Sequence, residues 1–278
     1  MKRSRRERLS RLKKDVDILI PSFGRTSSLF LTLNSLAFQS FSSFDVIISD
    51  QNSNLAIEEL EEFIILRRLL EQNGHNVEVR KNLPRRGMAQ QRQFLLDSSK
   101  ADLVLFLDDD VICEPDLVER LVNMIRIQQC GFVGSALIGL SYVKDQRPDE
   151  QDITFWDTKV EPEQVSPNSQ KWQRHKLHNA ANILHVQNKL HISKQNSKAY
   201  KVAWVGGCVL YDAKKLKQCG GFSFWEQLPL DHSGEDVLAQ LRVMKSFGGC
   251  GIIPSGAYHQ EFPTTIRNRE VDAPLVLV

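Results

Sequence analysis

Over its first 140 residues the chain alternates short apolar runs with stretches of helical period, and few folds accommodate that alternation. VDILI (16–20), FDVIIS (44–49), NVEVR (76–80) and DLVLFL (102–107) are predicted strands. TSSLFLTLNSLAFQ (26–39), LAIEELEEFIILRRLLEQNG (55–74) and GMAQQRQFLLDSS (87–99) are predicted helices between them. The first opens on a Thr or Ser able to cap it, and the second closes at Gly74. Pro115 then starts a helix whose Leu117, Val118, Leu121, Val122 and Ile125 fall on one face. Strands alternating with helices imply an α/β fold, a mostly parallel central sheet with helices on both faces. Ligands of such sheets sit beyond the carboxyl ends of the strands. Those ends carry Pro21 and Ser22 after the first strand, Asp50 after the second, and Asp108, Asp109 and Asp110 after the fourth.

The acidic triplet is the sharpest of these signals. Adjacent carboxylates repel, and an ionised carboxylate resists burial unless something neutralises it. A hard divalent cation at Asp108 and Asp110 would do so, with substrate phosphate oxygens completing its shell. A solvated turn with an acid capping the Pro115 helix is the plain alternative. Two later segments favour the cation. GEDVLAQLR (234–242) sets Glu235 and Asp236 at a helix start, where the macrodipole favours ionised carboxylates. AYHQEFP (257–263) places His259 after a strand, where a neutral imidazole can ligate a metal.

The 278 residues suit one large α/β domain or two small ones, and 41% hydrophobic with 25% charged residues is ordinary for a globular chain. A net charge of +2 hides an asymmetry. Residues 1–14, MKRSRRERLSRLKK, hold eight Lys or Arg and one acid, leaving 28 basic and 33 acidic residues in the remainder. Such a run is ordinarily solvated, and its most specific use is peripheral contact with an anionic membrane face; no nucleic-acid partner is expected. ILIPSF follows Asp15 and Asp17 and is too short for a signal peptide. No window approaches the ~18 apolar residues of a membrane span. Five scattered cysteines without a CxxC pair read as buried free thiols in a reducing compartment, so a cytoplasmic, membrane-associated location is expected.

From 141 to 200 the chain is polar, carries Pro148, Pro162 and Pro167 and four of the seven histidines, and shows no period. It reads as a loop-rich excursion. His175 and His178 beside Trp172 read as solvated loop rather than a second metal site. Regular structure returns with VAWVGGCVLY (202–211), a helix from about Gly234 to Phe247, and CGIIPSG (250–256).

Taken in order, DILIPSFGR, IISDQNSN, GMAQQRQ, LFLDDDVICEPDLVERLV, WVGGCVLY and GEDVLAQLR resemble the family 2 glycosyltransferases of the GT-A fold, inverting enzymes that use nucleotide-sugar donors. The likeness covers roughly residues 15–140 and 202–262. It implies a GT-A (Rossmann-like) sheet with a loop-rich acceptor-side insertion, divided into a basic tail (1–14), a nucleotide-sugar-binding half (15–140), the insertion (141–201), a catalytic and acceptor-binding half (202–265) and a C-terminal tail (266–278). It also implies roles. Pro21, Ser22 and Arg25 line the nucleotide pocket, and Asp50 contacts the base. Gly87 and Arg92 belong to the helix nearing the diphosphate. Asp108 lies by the ribose with Asp109 beside it, and Asp110 takes Mn²⁺ or Mg²⁺ with His259 as a further ligand. Asp236 is the general base, with Glu235 contacting acceptor or metal-bound substrate. Gly206 and Gly207 let the backbone approach the sugar. In GFSFWEQLPLDHSG (221–234), Trp225, with Phe222 and Phe224, could stack on an acceptor sugar.

The chain departs from the family in two places. PSFGR lacks the usual Tyr-Asn pair, and SDQNSN stands for Asp-Asp-Gly-Ser, which leaves uridine favoured with guanosine and thymidine open. The Gln-x-x-Arg-Trp signature of processive synthases is absent, pointing to single additions. The expectation is a metal-dependent hexosyl- or N-acetylhexosaminyl-transferase acting on a saccharide or glycolipid hydroxyl. The competing readings are a haloacid-dehalogenase-like phosphatase, whose Asp-rich loop follows its first strand rather than the fourth, and a non-catalytic nucleotide-sugar-binding module.

Overall fold

The computed structural model describes residues 13–264 and 269–277. In chain order its first half runs β1 (Val16–Ser22), α1 (Thr26–Leu36), β2 (Phe44–Asp50), α2 (Glu61–Gln72), β3 (Val77–Lys81), α3 (Met88–Ser98), β4 (Leu103–Leu107), β5 (Val111–Cys113), α4 (Leu117–Gln128), β6 (Phe132–Gly134) and β7 (Leu137–Gly139). Then follow α5 (Asn182–Lys189), β8 (Lys198–Tyr200), β9 (Cys208–Asp212), α6 (Ala213–Gln218), β10 (His232–Ser233), α7 (Glu235–Phe247), β11 (Gly249–Ile253), β12 (Ala257–His259), β13 (Val271–Asp272) and α8 (Ala273–Val276).

The main sheet has the order β3-β2-β1-β4-β9-β6-β11-β8. Its β3-β2-β1-β4 half is parallel throughout, β9 lies antiparallel to both β4 and β6, β6 and β11 are parallel, and β8 closes the edge antiparallel to β11. The apolar strands divide their residues between two cores at a period of two. Ile18 and Ile20 of β1, Val46 and Ile48 of β2 and Leu105 and Leu107 of β4 pack under α1, α2 and α4. Leu19, Ile47, Val104 and Phe106 face the opposite core, shared with α3 and α7. A strand buried on both faces must read as an unbroken apolar run, and these do.

Three expectations are corrected. The predicted helix 55–74 divides into a 3₁₀ turn at Ile57–Glu59 and α2, because Leu60 between them is extended (φ −75°, ψ 134°). VAWVGGCVLY yields a strand only from Cys208, since Gly207 before it is left-handed (φ +72°). The middle segment is not all loop: α5 packs its Ile183 and Val186 into the second core, and β8 buries Tyr200 at the sheet edge. Four of the five cysteines are buried and none is bridged. No helix among the described residues is long and apolar enough to cross a membrane. Of the basic run 1–14, all but Lys13 and Lys14 lies outside the described residues.

A second sheet, β5-β12-β7, shapes the functional end. Antiparallel pairing of β12 with β5 sets His259 opposite Val111, one residue beyond the acidic triplet.

Candidate active site

The carboxyl ends of β1, β2 and β4 open into a cavity of about 370 Å³. It is lined by Pro21, Arg25, Arg92, Asp108, Asp109, Asp110, Glu235, Asp236 and His259 among others, so the structure brings together residues from 21 to 259 that the sequence marked separately.

The triplet forms the turn between β4 and β5, pinned by its backbone. The Asp108 N–H donates to the Gly207 carbonyl (2.9 Å), the Thr32 hydroxyl donates to the Asp109 carbonyl (3.0 Å), and the Gln260 N–H donates to the Asp110 carbonyl (2.9 Å). Its charge is met by side chains. Arg25, at the start of α1, donates to Asp109 Oδ1 and to Asp110 Oδ2, each at 2.6 Å. Arg92, on α3, donates to Asp108 Oδ1 (2.9 Å) and through Nε to Glu235 Oε1 (3.0 Å). His259 Nε2 lies 3.2 Å from Asp110 Oδ2. The repulsion read from the sequence is thus relieved by two guanidiniums and an imidazole belonging to the chain itself. Arg25 stands on the acids of the triplet and lines the cavity as well.

These environments sort the carboxyls. Burial pushes Asp109 up to about 7 although Arg25 and the Ser22 hydroxyl (2.8 Å) oppose it. Burial would also raise Asp110, but the His259 hydrogen bond and the Arg25 charge outweigh it and hold it below the usual range. The Asp110 hydrogen bond in turn raises His259. Burial and then the neighbouring Glu235 charge push Asp236 up to about 7, against the pull of Arg92. Burial alone would lower Arg92; Asp108, Glu235 and Asp236 override it and raise it, so it stays charged. Asp236, in the first turn of α7, is hydrogen-bonded to no arginine among the described residues: its carboxylate accepts from the Val237 N–H.

Among the described residues no three His, Cys, Asp or Glu side chains converge into a metal cage. The donor set still fits a shared ion. Asp110 Oδ2 and His259 Nε2 are adjacent and face the cavity, which suits a hard cation that takes two or so protein ligands and completes its shell with phosphate oxygens.

Other marked residues lie elsewhere. Asp50 is fully buried and does not line the cavity: its Oδ1 accepts from the backbone and side chain of Asn52, and its Oδ2 from Lys81 Nζ at 2.5 Å. Gly87 (φ +95°) packs against β10, where a Cβ would come within 2.6 Å of His232 Cε1. Gly207 touches Leu137 and the Asp108 carboxylate, whereas Gly206 faces open space. Phe222 and Phe224 are buried in the core, which removes them as a sugar platform. Trp225 lines neither this cavity nor the one that adjoins it, and lies beneath the Arg86 guanidinium, 5.9 Å from its ring.

A second cavity of about 470 Å³ adjoins the first and shares His259 and Phe262 with it. It is walled by Leu137, Tyr142, His175, His178, Trp204 and Gly206. Trp204 stacks on His175 (4.9 Å, 11°), and His178 Nε2 lies 2.9 Å from the Tyr200 hydroxyl, burial lowering its pKa to about 4. His175 and His178 therefore wall a cavity instead of lying in a solvated loop.

Several cavity residues went unmarked in the sequence: Phe23, Gln51, Arg85, Gln91, His232 and Arg269. Gln91 Nε2 donates to the carbonyls of Ser22 (3.2 Å) and Ser49 (2.8 Å), tying the ends of β1 and β2. His232 donates through Nδ1 to the Pro229 carbonyl (2.7 Å) and accepts the Ala89 N–H at Nε2 (3.0 Å), which fixes its neutral tautomer under the start of α3. Only Gln51 had a signal, its place beside Asp50 at a strand end. No lysine lines this cavity among the described residues, and the triplet follows the fourth strand, so a phosphatase loop finds no support.

The family model described as Glycosyl transferase family 2 matches residues 17–193. A Haemophilus influenzae protein described as an uncharacterized glycosyltransferase is 31% identical over 112 residues, 40% of this chain and 34% of its own length. The crystal structure of S. aureus TarS 1–349 in complex with UDP-GlcNAc superposes with a TM-score of 0.56 at 16% identity, covering 91% of this chain and 60% of that one. The mannosyltransferase PcManGT from Pyrobaculum calidifontis, in complex with GDP-Man and Mn²⁺, superposes at 0.54 with 13% identity, covering 94% and 64%. The chain thus spans about a third of that curated relative and under two thirds of these solved chains. At such identities the structures speak for the fold alone, which is the expected α/β GT-A type.

Proposed function

For a chain that belongs to glycosyltransferase family 2, we propose the transfer of a sugar from a nucleoside-diphosphate donor to a hydroxyl acceptor, with inversion. The observation that carries this is the pairing of opposites in one cavity. An acidic corner suited to a diphosphate-bound cation faces, across Arg92, a carboxyl at about 7 that no arginine of the described residues hydrogen-bonds.

Displacing a nucleoside diphosphate from an anomeric carbon requires neutralising the leaving group and taking the proton of the attacking hydroxyl. Asp236 is set for the second task. A base works best with a pKa near the working pH, and proton removal by such a group contributes ~10²- to 10⁴-fold in rate. With one base acting in a single displacement, the sugar inverts. Glu235 holds Arg92, and Arg92 holds Asp108, so the base and the acidic corner keep their spacing through one guanidinium. Arg25 and Arg85 offer further positive charge to the diphosphate from the cavity wall. Asp110 and His259 would hold the divalent ion, which supplies Lewis-acid neutralisation of the diphosphate when bound. The adjoining cavity under Trp204 suits the acceptor, since it shares His259 and Phe262 with the donor cavity and offers an aromatic face. A role in polysaccharide or glycolipid assembly, and peripheral membrane contact through residues 1–14, accord with a non-processive enzyme of this family.

The test is a thermal-shift panel of nucleotide sugars with and without Mn²⁺, followed by nucleoside-diphosphate release with acceptor. One donor should raise the midpoint only with metal. Absence of any shift across uridine, guanosine and thymidine donors would refute the reading.

A further inference from the structure

We infer that Gln260 is a positioning residue, one that holds His259 and Asp110 in the register a divalent ion needs. The inference rests on the nucleotide-sugar reading above, with its ion at those two side chains, and adds the residue that sets them. Gln260 follows His259 at the end of β12 and lines neither of the two cavities, so it acts on the site through its neighbours. Its backbone N–H donates to the Asp110 carbonyl (2.9 Å). Its side chain crosses to α1, where Nε2 donates to the Ser28 carbonyl and to the Thr32 hydroxyl, each at 3.1 Å, and Oε1 accepts from the Ser28 hydroxyl (3.2 Å). The Thr32 hydroxyl in turn donates to the Asp109 carbonyl (3.0 Å).

These bonds lie where burial calls for apolar side chains. Ser28 is almost wholly buried and Thr32 fully so, and they begin a polar stripe, Ser28, Thr32, Ser35 and Gln39, at the spacing of one helix face. Beyond Thr32, Ser35 accepts the Cys113 N–H (3.1 Å) and Gln39 donates to the Glu114 carbonyl (2.8 Å). Buried polar groups persist where they are paired, and this pairing pins α1 along the acidic turn and β5. Gln260 closes the seam at the end where Arg25 leads into α1, so Arg25, Asp109, Asp110 and His259 share one frame. The His259 side chain is 36% exposed with Nε2 against Asp110, so its place is set by the strand that carries it. Groups that orient ion ligands in this way typically contribute about ten- to a hundredfold in metal affinity.

The test binds UDP, GDP and dTDP with Mn²⁺ to the full chain and reads two things: the calorimetric affinity, and the histidine-nitrogen coupling to Mn²⁺ in pulsed electron paramagnetic resonance. The wild-type protein should bind one of the nucleotides and show a nitrogen coupling that His259→Ala removes. Gln260→Met should weaken that coupling and raise the Kd of the Mn²⁺ complex about tenfold. Thr32→Val, of the same shape without the hydroxyl, should shift both readings in the same direction, and the double variant should be no worse than the stronger single one, since the two act through one network. Leu121→Ala, a truncation in the first core, should lower stability and leave both readings unchanged. Should Gln260→Met not fold, Thr32→Val decides on the same two readings. Coupling and affinity that are unchanged in Gln260→Met, or lost equally in Leu121→Ala, overturn the positioning role. Nucleotide bound to the wild-type protein without a His259 coupling also overturns it, leaving the nucleotide reading intact. Failure of the wild-type protein to bind any of the three overturns both.

Discussion

Asp236→Asn should make this protein more stable and nearly inactive at once, and the pH dependence of each effect follows from one carboxyl. Burial first and the Glu235 charge second raise the Asp236 pKa from 3.8 to about 7. Between pH ~4 and ~7 the folded chain therefore keeps a proton that the unfolded chain has released. Stability falls as pH rises through that window, and the full deficit persists above it. At about 1.4 kcal/mol for each tenfold change in the acid dissociation constant, that displacement sets a ceiling of ~4 kcal/mol. Water entering from the cavity screens this part-exposed carboxylate, and the expected gain is ~2 kcal/mol. Asn has nearly the same shape and cannot ionise, so the variant should match wild type at pH 4.5 and exceed it by ~2 kcal/mol at pH 8. Urea unfolding followed by tryptophan fluorescence across that range measures the difference. Transfer should fall by ~10²- to 10⁴-fold with donor affinity retained, and wild-type kcat/KM should climb through pH ~7. A stability difference that stays flat from pH 4.5 to 8 would show that no strained carboxyl sits at this position.

Three further predictions concern the corner and its neighbour. Arg25→Met leaves Asp109, which is 1% exposed, without its counter-ion, and should lower stability by ~3 kcal/mol at pH 8 and by less at pH 5, where Asp109 is protonated; a loss under ~1 kcal/mol at pH 8 contradicts the pairing. His259→Ala should raise the Mn²⁺ concentration that half-saturates donor binding by about tenfold or more, read by calorimetry, and an unchanged titration removes His259 from the ion's shell. Trp204→Ala should raise the acceptor KM with little effect on kcat or on donor affinity, and an equal loss of donor affinity would move the acceptor out of that cavity.

The parallel half of the fold could be read from the sequence because strands buried on both faces cannot disguise themselves: Ile18 through Ile20 and Val104 through Leu107 have to be apolar at every step. The helix starting at Glu235 and the acid triplet were equally plain, as each is a local pattern. What the sequence withheld was who meets whom. Arg25 reaches Asp109 and Asp110 across more than eighty residues, and Arg92 reaches Glu235 across 143, distances at which charge pairing leaves no trace in local composition. The triplet therefore suggested a cation but gave no sign of the two guanidiniums that the chain sets beside it. Likewise β5, β6 and β7, of three residues each, are too short to show a period, and α5 and β8 are set in polar sequence. Phe222 and Phe224 looked like surface aromatics because their loop is polar, while the core that takes them is built from β4 and β9.

The two arginines inside the acidic corner have a consequence for how the metal is used. A site whose acids are already accompanied by fixed guanidiniums has no need of a resident ion to hold its shape, so treatment with chelator should leave the melting point where it was. Asp108, Asp109, Asp110, Glu235 and Asp236 share the cavity wall with Arg25, Arg85, Arg92 and Arg269, so a dication would be drawn in chiefly by the pyrophosphate it accompanies. On the proposed reading a divalent ion would be held chiefly through the donor's diphosphate, with Asp110 and His259 as its protein ligands, and would not be a fixture of the fold.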